Sequence, residues 1–557
     1  MAGLVSRKTA RVLVSLMMGA LAVIDVIVFR HYRVPLDEQV IETAWFAWSD
    51  VKPVAVAMLP AALPIIGLAG AIEYGLLSLG RSRARVRARK LLLVLWVIAL
   101  SLGGKLRDGT LEVRLAHAAS LTWEPWEPSN GASATAVPVP PLASRRARLP
   151  NVLFILTESV RADDDCSNYD PACKSSPRIG ALLEHRVPLR QMRSVASYTA
   201  VSVSALLTGR PQLGARSEIL ATPTWFDWIK AVRAERDQGA ERAPSVIYWS
   251  GQSARVIERA DLPSMLDSFV TMETLLGHAV GDEDDMIDQG VDRLLAEHAI
   301  ANLPALRAPY FVTLHFGGTH APYFMDKDDA PFRPWDRAVT WSHMPLLHNA
   351  YRNAIFEQDK SIARCITAFL QAQGDAPWMI VFTSDHGESF GERGAIHHGQ
   401  NLYDEQTRVP GWIAFGNGAL EPAEEQQLRA HENEVVTHLD LLPTLLDAYG
   451  VLDTMAMTLS SRGRDKLAGR SLLRAEEGPR APLPMTNCTA MFPCPVNTWG
   501  MLGTERLLVA QPWDSAFRCM DVRTGIEIGG ADDASCRHLV EASRPYFPKL
   551  PNGALNR

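Results

Sequence analysis

Apolar positions fall into two regimes along the chain. Before residue 105 they form long runs at 12–29, 53–80 and 91–104, broken only by Asp25 in the first and by Pro60, Pro64 and Glu73 in the second. Beyond that point they are short and interrupted. A hydrocarbon core of ~30 Å calls for about 20 apolar residues, and the third run, which is shorter, is flanked by Lys90 and Lys105, whose stems reach the interface. The pattern predicts about three transmembrane helices over 1–106. A cleaved signal peptide competes for the first run, with Ala20 and Ala22 as a small-residue site. Apolarity continues through Val23, Ile24, Val26, Ile27, Val28 and Phe29, where a cleaved precursor turns polar, so an uncleaved anchor is expected.

From residue 151 onward, strand-length apolar runs at 151–157, 309–315 and 378–383 alternate with helical periodicity, notably at 285–298 and 346–373. Continuous rather than alternating apolarity marks strands buried on both faces, as in a parallel sheet. The expected fold is α/β, with a largely parallel central sheet and helices on both faces. Residues 107–150 form a Pro/Ala-rich linker, and 129–150 is predicted to be an extended tether. Trp123 and Trp126, just before it, suit a membrane interface or packing on the protein.

Composition adds little until it is read by position. A 47% hydrophobic content and a net charge of −6 exclude a disordered chain and give no sign of nucleic-acid binding. Arg81, Arg83, Arg85, Arg87, Arg89 and Lys90 crowd the loop between the second and third runs, which makes that loop cytoplasmic and places everything after residue 105 outside, in the periplasm or extracellular space. Six of the seven cysteines form close pairs, Cys166 with Cys173, Cys488 with Cys494 and Cys519 with Cys536, as local disulfides in an oxidising compartment would. Cys365 lies in a helical pattern and is expected as a buried free thiol.

Polar chemistry gathers just beyond the strand ends, where α/β sheets carry their sites: Glu158 after the first strand, His320 after the second, Asp385 and His386 after the third. Alone, each has a plain explanation as a helix cap or turn element. Thr199 opens a predicted helix at 199–209, where a hydroxyl serves as an N-cap. Equally, the amides at a helix start favour an anionic substrate, and a nearby cation would activate that hydroxyl.

The segment 151–163 (NVLFILTESVRAD) resembles the opening strand and metal loop of the alkaline phosphatase/sulfatase superfamily. FTSDHGESFGERGAIHHGQNLYDEQTRVP at 382–410 is similar to its second metal segment. HLDLLPTLLDAYG at 438–450, AGRSLL at 468–473 and CMDVRTGIE at 519–527 resemble its late helix, the turn beyond and the last strands of its small antiparallel subdomain. The resemblance implies an alkaline-phosphatase-like sandwich, with a catalytic domain at 151–475 and a disulfide-bearing subdomain at 476–557 completing it. Sulfatases mature a Cys or Ser to formylglycine within a Cys/Ser-x-Pro-x-Arg context. Here the slot holds Thr199, with Val201 and Val203 in place of the Pro and Arg. Thr199-Ala-Val-Ser-Val instead resembles the phosphoethanolamine transferases, and the single Glu158, preceded by Thr157, resembles their metal loop and that of lipoteichoic acid synthases.

That resemblance implies Glu158, Thr199, Asp385 and His386 as ligands of a divalent metal, a set that suits Zn2+ or Mn2+ better than Ca2+. It implies Thr199 as nucleophile, with His320 and His398 as the histidines that hold phosphoryl oxygens and move the leaving-group proton. His397 is an alternative to His398, because the family pattern fixes only a His-Gly there. The expected activity is transfer of a phospho-head-group from a membrane phospholipid to a lipid or glycan acceptor. A sulfate or phosphate ester hydrolase and an inactive binding ectodomain are the alternatives. Those transferases usually carry five spans rather than three, which leaves the donor open.

Overall fold

The computed structural model describes residues 138–556, apart from 167–172, 184, 214–218, 220, 235–242, 257–258, 260, 279–289, 456–466, 476–477, 488–496, 531 and 552–554, together with helical residues between 12 and 26 and between 56 and 71. The chain divides into two compact units, 1–129 with 338–340, and 130–337 with 341–557. Among the described residues no helix is long and apolar enough to cross a membrane. The third expected span, most of the second, the arginine-rich loop, Trp123, Trp126 and the Cys488–Cys494 pair lie outside the described residues.

Within the first unit the two helical stretches meet at Gly70, where an added Cβ would lie 2.9 Å from the Leu16 side chain. Ser15 and Asp25 are buried, whereas Leu13, Met17, Val26, Leu63, Ile65 and Leu68 are exposed.

The second unit is built on a seven-stranded sheet formed by β1 (Asn151–Thr157), β2 (Val187–Pro188), β3 (Ser245–Ser250), β4 (Ser268–Val270), β5 (Tyr310–His315), β6 (Trp378–Ser384) and β7 (Gly411–Gly416). Their spatial order is β2-β7-β6-β1-β5-β3-β4. The pairings β1–β5, β1–β6, β3–β5 and β3–β4 are parallel, and only those of β7 with β6 and β2 are antiparallel. The expected largely parallel α/β sheet is therefore present.

The side-chain alternation of β1 explains its unbroken apolar run. Val152, Phe154 and Leu156 enter one core with α2 (Thr199–Thr208), α3 (Trp225–Lys230) and α6 (His438–Ala448), while Leu153 and Ile155 enter another with α1 (Pro177–Leu182), α4 (Val291–Asn302) and α5 (Met344–Gln371). Cys365 is a buried free thiol in the second core.

Residues 138–150, expected as the end of a tether, are built into this unit. Leu142 and Ala143 pair with Val232 and Arg233, the Ser144 hydroxyl donates to the Tyr449 carbonyl, and Arg145 and Arg146 meet Asp447 and Glu424. Proline and alanine content suggested an extended chain; the buried Leu142 and the two arginines supply the attachments that composition does not reveal.

A five-stranded antiparallel sheet follows, from β8 (Leu483–Thr486) through β9 (Trp499–Leu502), β10 (Arg506–Ala510) and β11 (Arg518–Asp521) to β12 (Glu527–Gly530). One face packs on Leu402, Tyr403, Val435 and Leu439. The other is covered by α7 (Arg537–Ser543), and the Cys519–Cys536 disulfide joins β11 to the start of that helix. Cys166 and Cys173 form the second described disulfide.

Candidate active site

Three parallel strand ends and one helix start converge. Thr157 is in register with Ser384, so the residues that leave β1 and β6, Glu158 and Asp385, emerge side by side. Ser159 holds a left-handed backbone (φ 58°) that turns the chain, and its amide donates to Asp385 Oδ1 at 2.9 Å. The His386 amide donates to the same oxygen at 2.7 Å. Gly387 must lack a side chain, because a Cβ would stand 2.3 Å from the Glu405 carbonyl oxygen.

Thr199 is the first residue of α2, and Tyr198 occupies the N-cap position. The expected capping role is thus not the one its hydroxyl plays. Oγ1 donates to Glu158 Oε1 at 3.0 Å and lies 3.0 Å from His386 Nε2. His386 Nε2 is also 3.3 Å from both Glu158 Oε1 and Asp385 Oδ2. The four residues expected as ligands, Glu158, Thr199, Asp385 and His386, are therefore together.

His320 and His398 join them from the other side. Ligand-capable atoms of Glu158, His320 and His398 lie within 4.8 Å of one another. The His398 ring is centred 4.3 Å from that of His386 and 5.3 Å from that of His320. His397, the alternative, turns away on a left-handed backbone (φ 64°), with Nδ1 3.3 Å from the Tyr323 hydroxyl.

Electrostatics within the cluster are unbalanced. Burial raises the Glu158 pKa, but the hydrogen bond and charge of His386, then the charges of His320 and His315, outweigh it and hold the group well below the usual carboxylate range. Burial, then the Glu158 charge, drives Asp385 well above that range. Burial lowers His386, yet Asp385 and Glu158 raise it to about 9. Two carboxylates sharing a dry site cannot both ionise cheaply without a cation.

The donor set fits one. Asp385 Oδ2 is buried without a hydrogen-bond partner. His386 Nδ1 lies 2.9 Å from the Gly387 carbonyl, an acceptor that holds a proton on Nδ1 and leaves Nε2 as the ring atom facing the acids, available to a metal once deprotonated. Two acids, an imidazole and a hydroxyl converging in this way suit a divalent ion such as zinc.

Several supporting residues carried no sequence signal. Gln252 Nε2 donates to Glu158 Oε2 at 2.8 Å, while Oε1 accepts from the Ser159 hydroxyl at 3.1 Å as well as from Thr199. His315, buried and lowered to about 4 by that burial, stands 3.8 Å from the same oxygen, and its Nδ1 is 2.9 Å from the Tyr248 hydroxyl. Glu388 is raised by burial, but the charges and hydrogen bonds of His398 and His397 bring it down to about 2; its Oε2 faces His398 Nδ1 at 3.4 Å. The Ser202 hydroxyl donates to the Asp385 carbonyl. Gln252 lies in a segment without helical or strand periodicity, and Glu388 is one acid among several in its segment.

An α/β sheet with acids and imidazoles at adjacent parallel strand ends, around a hydroxyl at a helix start, defines a hydrolase- or transferase-type enzyme of the sulfatase fold. The sulfatase family model matches residues 150–451, more than half of the chain, and the chain belongs to that family. Phosphatidylethanolamine transferase Mcr-2 of Escherichia coli is 30% identical over 149 residues, 25% of this chain and 26% of that protein. Phosphoethanolamine transferase EptA of Helicobacter pylori is 25% identical over 311 residues, 53% of each. The chain thus spans a quarter to about half the length of these curated relatives. The solved structure of YidJ from Bacteroides fragilis superposes with a TM-score of 0.51 at 14% identity, covering 72% of this chain and 95% of that one, which establishes the shared fold.

Proposed function

We propose that this chain is a membrane-anchored, metal-dependent phospho-head-group transferase, phosphoethanolamine- or phosphoglycerol-transferase-like, that works through a phosphothreonine at Thr199. One observation carries the reading: the Thr199 hydroxyl, at a helix start, is turned away from capping and donates to Glu158 beside His386. Of the relatives named above, Mcr-2 is a phosphatidylethanolamine transferase and EptA a phosphoethanolamine transferase, which supports this reading.

Glu158, Thr199, Asp385 and His386 would hold the metal, as Zn2+ or Mn2+. When bound, the cation lowers the pKa of the hydroxyl and neutralises charge on the phosphoryl oxygens. Thr199 Oγ1, its proton already given up to solvent, attacks the phosphorus of a phosphodiester. The bond from phosphorus to the lipid alcohol breaks, and His320 or His398 gives that alcohol its proton. In the second half an acceptor hydroxyl loses its proton to the same histidine and attacks phosphorus, and the bond to Oγ1 breaks to return the Thr199 oxygen unprotonated, as it entered the cycle. The free amides at the start of α2 favour the anionic group throughout. His320 Nδ1 lies 2.7 Å from the Ala321 carbonyl, so Nε2 is the atom left for this exchange.

The donor is a membrane phospholipid, the acceptor a lipid or glycan, and nucleic acid has no part. Membrane anchoring is supported by the first unit, where Ser15 and Asp25 face inward and Leu13, Met17, Leu63, Ile65 and Leu68 outward, an arrangement suited to lipid rather than water. The multi-pass inner-membrane location, with the catalytic domain outside, also accords with the Cys166–Cys173 and Cys519–Cys536 disulfides.

The test is incubation of the membrane-embedded enzyme with head-group-labelled phospholipids, followed by mass analysis of the peptide containing Thr199. Transfer of label to a lipid or glycan, with a phospho-head-group adduct on Thr199, is expected. Release of the label to water alone, without an adduct, would replace this reading with a hydrolase.

A further inference from the structure

His320 sits on a loop that has no regular structure, yet its ring must hold a fixed distance from Thr199 if it is to exchange a proton there. One carboxylate takes two successive amides of that loop. Asp292, in the first turn of α4, is buried, and its Oδ1 accepts from the Gly317 amide at 2.9 Å and its Oδ2 from the Gly318 amide at 3.0 Å. Gln358 of α5 donates to the same Oδ2 at 2.8 Å and lies 3.3 Å from the Thr319 hydroxyl. Thr319 in turn donates to the Glu158 carbonyl, and the His320 amide closes the turn on the Gly317 carbonyl at 3.0 Å.

The fit is close from both sides. A Cβ at Gly318 would come within 2.6 Å of Asp292 Oδ2, and one at Gly251 within 3.2 Å of Oδ1. Three donors converge on Asp292, and an amide side chain in its place would point a donor at a donor in either orientation. Asp292 touches none of Glu158, Thr199, Asp385 or His386 in this network; its contacts are the loop amides and Gln358.

We infer that Asp292, through the two amides of Gly317 and Gly318, is the positioning residue that sets His320 for proton exchange with the leaving or entering alcohol. This rests on the role given to His320 in the proposed mechanism. A misplacement of about 1 Å at a reacting group costs on the order of a hundredfold in rate, so slackening this clamp has a catalytic cost well beyond its cost in stability.

The test is a double-mutant cycle on the full-length, membrane-embedded enzyme with D292N, H320A and D292N/H320A, using two probes: labelled phosphatidylethanolamine, which has a poor leaving group, and bis(p-nitrophenyl) phosphate, which leaves without a proton. D292N should lower kcat on the lipid by about tenfold to a hundredfold with KM little changed, and should cost little on the nitrophenyl ester. In the H320A background D292N should cost nothing further. An equal loss in both backgrounds, or on both probes, would mean general loosening and overturn the inference. An H320A variant as active as wild type on the lipid would overturn the role of His320 itself, and the clamp's purpose with it. If D292N does not fold, G318A strains the same clamp from the loop side and faces the same criteria.

Discussion

Replacing Asp385 with Asn removes one of two carboxylates that share a buried pocket while keeping its shape. The amides of Ser159 and His386 still find an acceptor in Oδ1, and the new amide nitrogen stands where Oδ2 is 3.3 Å from His386 Nε2. In the metal-free wild type, burial and Glu158 raise Asp385 above its ordinary value of 3.8. The folded form then holds a proton that the unfolded chain releases, so metal-free stability falls as pH rises from 3.8 toward the raised value. A divalent cation demands both carboxylates ionised, so the stabilisation it confers must grow over the same span. At a thousandfold excess over its Kd, a cation adds about 4 kcal/mol. With an unfolding entropy of about 2.1 cal/mol/K per residue over a unit of roughly 420 residues, this is about 5 °C in Tm. Scanning fluorimetry of wild type and D385N, with chelator and with Zn2+, at pH 5 and pH 8, checks the reasoning. In chelator at pH 8, D385N should melt above wild type. Zn2+ should raise the wild type by about 5 °C at pH 8 and by less at pH 5, while D385N responds weakly at both. A D385N protein that melts lower in chelator and gains as much from Zn2+ as wild type would refute the shared-carboxylate account.

Three further outcomes are expected. Thr199→Ala should lose activity by on the order of a thousandfold or more while melting close to wild type, because its hydroxyl caps nothing; Thr199→Ser should keep most of the activity, as turnover and Tm measured together will test. Gln252→Leu leaves Glu158 Oε2 without its 2.8 Å donor and should weaken Zn2+ binding by about tenfold to a hundredfold in a chelator-competition titration. His398→Ala should cost about a hundredfold or more in kcat, whereas His397→Gly, which suits a φ of 64°, should cost less than about tenfold; equal losses would undo the distinction drawn between the two histidines.

Much of the framework was legible because burial on both faces leaves a plain mark. The runs that became β1, β5 and β6 are apolar at successive positions since each face of the sheet has its own helical core. Polar residues immediately after such runs are conspicuous, and Glu158, Asp385 and His386 were found that way. Gln252, Glu388 and Asp292 were not, since a buried amide or acid is identified by the partners it meets, and those lie 94 residues away for Gln252 with Glu158 and 25 for Asp292 with Gly317. Residues 138–150 misled in the opposite direction. Their composition suits a free tether, but Leu142 adds a strand beside Val232, and a single strand pair two residues long has no periodicity to detect.

The site also depends on register more than on any single side chain. Glu158 meets Asp385 only because Thr157 pairs with Ser384, and the 317–320 loop arrives beside both because Leu156 pairs with His315. A slip of one residue between β1 and β6 would move either Phe154 or Val381, whichever strand shifts, out of one core and into the other, and would separate the two acids by a full residue step. The apolar alternation that keeps Phe154 against Trp225, with ring centroids 4.5 Å apart, therefore also fixes the spacing of the acids. Core packing on one side of the sheet and metal geometry at its end are the same constraint, so a Phe154→Ala cavity, worth about 3–5 kcal/mol in stability, should also lower Zn2+ affinity without touching a ligand.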